Sequence, residues 1–119
     1  MLEAASTAER LVTVGVEHPE ASLWASDVRM LGFNIEFNLH GMSADEPEAG
    51  EKVLLGIAGD FNAENALVAI AAAREIGIGI EAIKKGLSKL RVPGRMEVVE
   101  SKDGRVICVV DYAHNQLSF

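Results

Sequence analysis

Apolar and polar residues alternate strictly along residues 33–40. The apolar positions are Phe33, Ile35, Phe37 and Leu39, and the polar positions are Asn34, Glu36, Asn38 and His40. Because successive side chains of a strand point to opposite faces, this period predicts a strand with one buried face and one solvated face. One-sided burial is typical of antiparallel sheets. The segment therefore predicts antiparallel sheet, and it places His40 on the solvated face.

Other short apolar segments predict further strands at residues 11–16, 23–30 and 53–57. Leu31-Gly32 predicts a tight reversal before the alternating strand. An acidic connector, residues 43–51, separates that strand from the next. The spacing of its carboxylates matches no metal-coordination loop, so a solvated loop is the favoured interpretation.

Two helices are predicted at residues 61–76 and 81–90. The first is apolar on all sides over residues 66–73, which predicts burial on most sides. Asp60 and Asn62 are candidates for capping its start. Asn62 and Asn65 are three residues apart and so share a helix face. These two amides either stabilise the helix start or present a donor and an acceptor to a nucleotide base and phosphates.

A β-hairpin is predicted near the end of the sequence, with strands at 96–100 and 105–110 around a turn at 102–104. Residues 106–110 are all apolar, which predicts a strand buried on both faces, with Cys108 as a small core residue. Asp111 and His114 follow this strand, and ligands of open α/β sheets bind beyond such strand ends. The alternatives are that Asp111 caps a following helix and that His114 is structural.

Arg95 strengthens the functional interpretation of this end of the chain. Pro93 restricts the backbone before it and Gly94 adds no side-chain bulk, so the guanidinium could lie against a ligand with its donors free. An arginine near a carboxylate suits a nucleotide, with the cation on phosphate and Asp111 on the ribose hydroxyls. The Pro93-Gly94 pair also predicts a domain boundary near Val92.

Composition narrows the class of protein. The 119 residues carry a formal net charge of −7, which argues against sequence-independent nucleic-acid binding. A single cysteine excludes a disulfide within the chain. The sequence starts without a signal peptide and its longest apolar run is too short to span a bilayer, so no membrane insertion and a cytoplasmic location are expected.

Three segments together resemble the Mur ligase family, the ATP-dependent amino-acid ligases of cell-wall synthesis. Residues 59–67 read GDFNAENAL and resemble the family pattern G-x-F-N-x-x-N-A-L. Residues 93–97 read PGRME and residues 110–114 read VDYAH, and both also resemble family patterns. The order of these motifs and the intervals between them match the family as well. Folylpolyglutamate synthetases, which are related, carry a motif similar to the last of these.

The resemblance implies an α/β fold. Residues 1–91 would be the C-terminal part of a central ATPase domain, built of antiparallel strands and helices. Residues 92–119 would begin a Rossmann-like C-terminal domain with its first β-hairpin. It also implies that Asn65 contacts adenine with Asn62 beside it, that Arg95 reaches the phosphates, that Asp111 binds the ribose and that the catalytic His114 lies close to the phosphates.

The implied activity is ligation through an acyl phosphate, with ATP and Mg²⁺, in peptidoglycan precursor synthesis. The partners would be a UDP-linked muramoyl dipeptide and an amino acid, L-lysine or a diaminopimelate, added as the third peptide residue. No G-x-x-x-x-G-K-[ST] phosphate loop occurs, and the elements that should cover the last strand are missing, so the chain is predicted to be a fragment without activity of its own. The implied magnesium ligands are likewise absent from the sequence.

Two alternatives remain open at this point. One is a folylpolyglutamate synthetase-like ligase, and the other is a non-catalytic structural module. After His114 many family members read Thr-Pro-Asp, whereas this sequence reads Asn115-Gln116-Leu117. That departure leaves the choice of added amino acid open.

Overall fold

The computed structural model describes residues 8–113. Within that range the strands are β1 (Val14–Val16), β2 (Leu23–Leu31), β3 (Asn34–His40), β4 (Glu51–Leu55), β5 (Glu97–Glu100) and β6 (Ile107–Val110). The helices are α1 (Asn62–Glu75) and α2 (Ile80–Ser88). Neither helix has the length and hydropathy needed to cross a bilayer.

The first four strands form one sheet in the order β1-β2-β3-β4. β1 runs parallel to β2, whereas β2, β3 and β4 are successively antiparallel. Leu31 pairs with Asn34, so Gly32 and Phe33 form the turn of the β2–β3 hairpin. The antiparallel sheet predicted from the alternation along residues 33–40 is therefore confirmed.

The core lies between this sheet and the two helices. Ile35, Phe37 and Leu39 of β3 are 0% exposed, as the alternation predicted. Phe33 is 40% exposed because it lies in the turn rather than on the strand. α1 packs against β1 and β2, and α2 packs against β4.

His40 is buried, so the prediction that it is solvated was wrong. Its ring stacks on Trp24 with centroids 3.9 Å apart, and its Nε2 is 2.8 Å from the Ser26 hydroxyl. The connector between β3 and β4 folds over the imidazole, because a Cβ placed on Gly50 would lie 2.7 Å from His40 Cε1. A pattern of alternation cannot reveal that a loop covers the polar face of a strand.

α1 is buried on one side only, which corrects the prediction of burial on most sides. Its buried residues are Ala63, Ala66, Leu67, Ile70 and Ala71. Val68, on the other side, is 58% exposed. Within residues 8–113 the sheet and α2 pack against one side of this helix. Apolar side chains on its other side, such as Val68, are therefore left exposed.

The predicted hairpin near the end of the sequence is confirmed, but its predicted burial was wrong. β5 and β6 form a separate antiparallel sheet with Glu97 opposite Val110. All residues of β6 are exposed, including Cys108, and Ile107 is 51% exposed. The apolar run suits a strand that is buried on both faces. Among the described residues, however, β5 pairs with β6 along one edge and no element covers either face. Cys108 is thus not a core residue here.

Candidate functional site

A cleft of about 350 Å³ lies where α1 begins and α2 ends, beside the segment that leads to the hairpin. We call that segment, residues 91–96, the linker. The residues lining the cleft are Leu55, Ile57, Asn62, Asn65, Ala66, Ala69, Leu87, Leu90, Val92 and Arg95. Most of them are apolar, and the polar ones are two amides and one guanidinium. A mostly apolar cleft with a few polar groups is the usual form of a small-molecule site.

Asn62 and Asn65 line one wall of the cleft from the first turn of α1. Asn62 Nδ2 donates to the Ala58 carbonyl oxygen at 2.7 Å, and Asn65 Nδ2 donates to Asn62 Oδ1 at 3.2 Å. No side chain caps the start of α1 by a hydrogen bond. The amides therefore hold the preceding loop and each other rather than capping the helix. This chain of hydrogen bonds fixes the Asn65 amide at the edge of the cleft.

Asp60, the other predicted capping residue, acts on the turn before α1. Its Oδ1 accepts a hydrogen bond from the Phe61 backbone N–H at 2.9 Å. Because Phe61 precedes the first helical residue, this bond orders the entry to α1. Asp60 thereby helps to place the Asn62 side chain without lining the cleft itself.

Arg95 reaches the cleft from the linker. The Pro93-Gly94 turn is closed by a hydrogen bond from the Arg95 N–H to the Val92 carbonyl at 3.0 Å, and Gly94 has a φ of +71°. That backbone conformation favours glycine, which explains why a glycine occupies position 94. The Arg95 side chain is 44% exposed. The turn thus presents the guanidinium at the cleft rather than burying it.

Asp111 contacts Arg95 instead of lining the cleft. Its Oδ1 is 3.2 Å from Arg95 Nε and accepts a hydrogen bond from the Met96 N–H at 3.2 Å. The Tyr112 N–H also donates to the Gly94 carbonyl, at 2.6 Å. The end of β6 is thereby attached to the linker turn. Arg95 therefore forms an ion pair with Asp111 through its Nε.

The structure thus brings Asn62, Asn65 and Arg95 to one cleft and joins Asp111 to it through Arg95. His114, the fifth predicted site residue, lies outside the described residues. The apolar walls were not predicted from the sequence, because apolar residues at helical spacing, such as Leu87 and Leu90, also suit packing against a core. The one sequence feature that could have indicated their place in the cleft is their position just before the linker.

A second, larger cleft of about 640 Å³ adjoins the first, with which it shares Ile57, Val92 and Arg95. It is also lined by the Gly32-Phe33 turn, by β5 and by Arg91 of the linker. Neither Asn62 nor Asn65 lines this second cleft. No three His, Cys, Asp or Glu side chains among residues 8–113 are close enough together to hold a metal ion.

Outside these two clefts, the pKa of Glu36 is lowered by its neighbours. Its Oε1 lies 3.2 Å from Lys52 Nζ and 2.9 Å from Arg29 Nη2 on the outer face of the sheet. The hydrogen bond from Lys52, followed by the Lys52 charge and the Arg29 contacts, lowers the pKa of Glu36 below its ordinary value of 4.5. A lowered pKa in the folded state means that the unfolded chain binds the proton more readily.

Glu36 is therefore expected to contribute stability above pH 4.5 that is lost as the pH falls through its folded pKa. The thermal unfolding midpoint of Glu36→Gln should lie below that of the unmodified protein at neutral pH, and the gap should close in acid. Glu81→Gln is the control, because Glu81 is 85% exposed and its Lys84 contact is longer, at 3.6 Å. A gap for Glu36→Gln that stays constant into acid would contradict this assignment.

No family model matches the chain. Among curated proteins, the L-lysine ligase "UDP-N-acetylmuramoyl-L-alanyl-D-glutamate--L-lysine ligase" of Streptococcus sanguinis is 52% identical over 60 residues, covering 50% of this chain and 12% of that protein. The corresponding 2,6-diaminopimelate ligase of Corynebacterium glutamicum is 36% identical over 111 residues, covering 92% of this chain and 20% of that protein. The relatives of this chain are Mur ligases.

Solved structures agree with the Mur ligase relationship. UDP-N-acetylmuramoylalanyl-D-glutamyl-2,6-diaminopimelate--D-alanyl-D-alanyl ligase from Acinetobacter baumannii matches with a TM-score of 0.78 and 26% identity. The match covers 98% of this chain and 24% of that one. The chain thus spans about an eighth to a quarter of the length of these Mur ligases. The α/β fold predicted from the motifs is confirmed.

Folylpolyglutamate synthase from Thermotoga maritima matches less well, with a TM-score of 0.65, 24% identity and 87% of this chain covered. At that identity the similarity shows a shared fold alone. The motif resemblance to Mur ligases is supported by both sequence and structure, whereas the rival resemblance is supported by structure at lower identity.

Proposed function

We propose that the protein containing this chain is an ATP-dependent ligase of peptidoglycan precursor synthesis. It adds L-lysine or a diaminopimelate to UDP-N-acetylmuramoyl-L-alanyl-D-glutamate. The observation that carries the proposal is the meeting of Asn62, Asn65 and Arg95, from two separate motifs, in one apolar-walled cleft. The named activities of the relatives support the substrate class.

The cleft suits a nucleotide. Its walls of Leu55, Leu87 and Leu90 offer apolar surface for the flat faces of an adenine ring. The Asn65 amide carries both a donor and an acceptor, so it can pair with the edge of the base. Arg95 is the cation at the cleft, and a guanidinium binds phosphate oxygens with two donors at once. We therefore assign adenine to the asparagine side and phosphates to the Arg95 side.

Asp111 completes this assignment as the ribose-binding residue. It lies against Arg95, and a carboxylate is a suitable acceptor for two neighbouring hydroxyls. His114, three residues further along, is assigned to the phosphate region on the motif alone. Binding of the nucleotide would draw the Asp111 carboxylate away from Arg95 Nε and free that donor for phosphate.

In the proposed reaction the γ-phosphate of ATP passes to the carboxylate of the muramoyl dipeptide, forming an acyl phosphate and ADP. The amine of the incoming amino acid then attacks the acyl carbon, and inorganic phosphate leaves. Arg95 contributes by neutralising charge on the transferring phosphate and by helping to exclude water. The described residues hold no cluster that fits a magnesium ion, so we assign Mg²⁺ no residue of this chain.

We also propose that residues 1–91 belong to the central ATP-binding domain and residues 92–119 to the C-terminal domain. The separate sheets on either side of the linker support this division. The cleft would then lie between two domains, which is a common place for a ligand site.

ADP release by the intact protein tests the proposed function. We expect release only when ATP, the UDP-linked muramoyl dipeptide and either L-lysine or a diaminopimelate are all present. A pteroate substrate with glutamate serves as the matched control for the folate-type ligase. Release with the pteroate pair alone would establish the rival activity, and no release under either condition would support a structural module.

A further inference from the structure

A single guanidinium connects the end of β4, the end of α2 and the linker. Arg91 Nη1 lies 2.7 Å from the Gly56 carbonyl oxygen and 2.6 Å from the Leu90 carbonyl oxygen. Gly56 follows β4, Leu90 follows α2, and Arg91 itself begins the linker. The contact to Gly56 spans 35 positions of the chain.

The backbone at this junction is closely packed. The Gly56 N–H donates to the Leu87 carbonyl oxygen at 2.9 Å. A Cβ added at Gly56 would collide with Arg91 Nη1 and lie 2.7 Å from the Ser88 carbonyl oxygen. Position 56 must therefore lack a side chain so that the end of β4, the end of α2 and the linker can meet.

The same junction supports the walls of the cleft. Leu55 and Ile57, the neighbours of Gly56, line the cleft, and so do Leu90 and Val92, the neighbours of Arg91. Arg91 is not itself a lining residue of this cleft. Its hydrogen bonds therefore hold the linker that presents Arg95 against the ends of β4 and α2.

We propose that Arg91 is a positioning residue for nucleotide binding. By holding the linker on the Gly56 and Leu90 carbonyls, it keeps Arg95 at the cleft that Asn65 also lines. This inference rests on the proposed function, because the group that it positions is the one assigned to the phosphates. Arg91 has no role in contacting the nucleotide, so its replacement acts through the placement of Arg95.

The test is steady-state kinetics of the intact protein, with ATP varied, for Arg91→Met and Arg91→Lys. Methionine keeps an unbranched apolar stem and removes the donors, whereas lysine keeps a donor that can reach a carbonyl. We expect Arg91→Met to raise the KM for ATP about three- to tenfold, the size of an ordinary hydrogen bond's contribution, because the loss reaches the nucleotide only through the placement of Arg95. Turnover at saturating ATP should stay within about twofold, and lysine should restore much of the loss.

Arg74→Met is the matched control. Arg74 Nη1 also donates to a distant backbone carbonyl, Gly41, at 2.7 Å, but it lies in the last turn of α1, away from the cleft. Both methionine variants should lower the thermal unfolding midpoint to a similar degree, whereas only Arg91→Met should change the KM for ATP. An equal KM change in both would mean a merely structural role for Arg91.

Gly56→Ala provides an independent variant at the same junction. It should raise the KM for ATP in the same direction, and its combination with Arg91→Met should be less than additive because both act on one contact. An unchanged KM in Arg91→Met, with an active unmodified protein, overturns this inference and leaves the proposed function standing. An unmodified protein that does not use ATP overturns both.

Discussion

Replacing Arg95 with alanine in the intact protein is expected to raise the KM for ATP or lower turnover by about ten- to a hundredfold, as for lost hydrogen bonds to a charged partner. The reason is its place in the cleft. Arg95 is the cation that lines it together with Asn62 and Asn65. Without the guanidinium, the phosphates assigned to this side would lose the one charged side chain among the described residues that line the cleft. ADP release at varied ATP concentration measures the effect.

Arg105→Ala is the matched control for this experiment. Arg105 also forms an ion pair through its Nε, with Asp103 at 2.7 Å, but it lies in the turn between β5 and β6, is 83% exposed and does not line the cleft. We expect its removal to leave the kinetics unchanged. Asp111→Ala should impair ATP use as Arg95→Ala does, since Asp111 is assigned to the ribose. Unchanged kinetics in both Arg95→Ala and Asp111→Ala would remove the roles proposed for them.

Phe37→Ala is expected to lower the free energy of unfolding by about 3–5 kcal/mol, the usual cost of truncating a buried phenylalanine. Phe37 is 0% exposed and pairs across the sheet with Val53, in the centre of the core. Truncation removes its apolar contacts and leaves a cavity that the closely packed strands cannot fill. Urea unfolding should show a lower midpoint with an unchanged slope.

Phe33→Ala tests whether burial is the cause. Phe33 belongs to the same alternating segment, but it lies in the β2–β3 turn and is 40% exposed. Its replacement should cost much less than that of Phe37. Equal losses for the two phenylalanines would show that β3 does not have its buried face toward the helices.

The sequence predicted the elements with strong local signals. The alternation predicted which face of β3 is buried, because successive side chains of a strand point to opposite faces. The β5–β6 hairpin followed from two apolar segments flanking a polar turn with Gly104. The three motifs identified the Mur ligase relationship because their order and spacing were matched together. The site roles and domain boundaries carried by that relationship remain predictions.

Burial was harder to predict wherever it depended on a distant partner. His40 is buried by the connector that folds over it, and nothing in the alternation indicates that loop. Cys108 is exposed and α1 is covered on one side only. The burial of both was overpredicted because an apolar segment indicates which side chains could be buried, not whether another element covers them. Whether a partner is present depends on the tertiary arrangement.

By itself, the sequence determined the type of each long element, the buried face of β3 and the family. These follow from local periodicity and from motifs in which particular residues recur. Only the tertiary structure decided that Asn65 and Arg95 meet at one cleft, that Asp111 contacts Arg95, and that Arg91 holds Gly56 and Leu90 together. The physical reason is that these contacts join distant segments, and the Arg91 contacts use backbone carbonyls, which every residue possesses and no sequence pattern distinguishes.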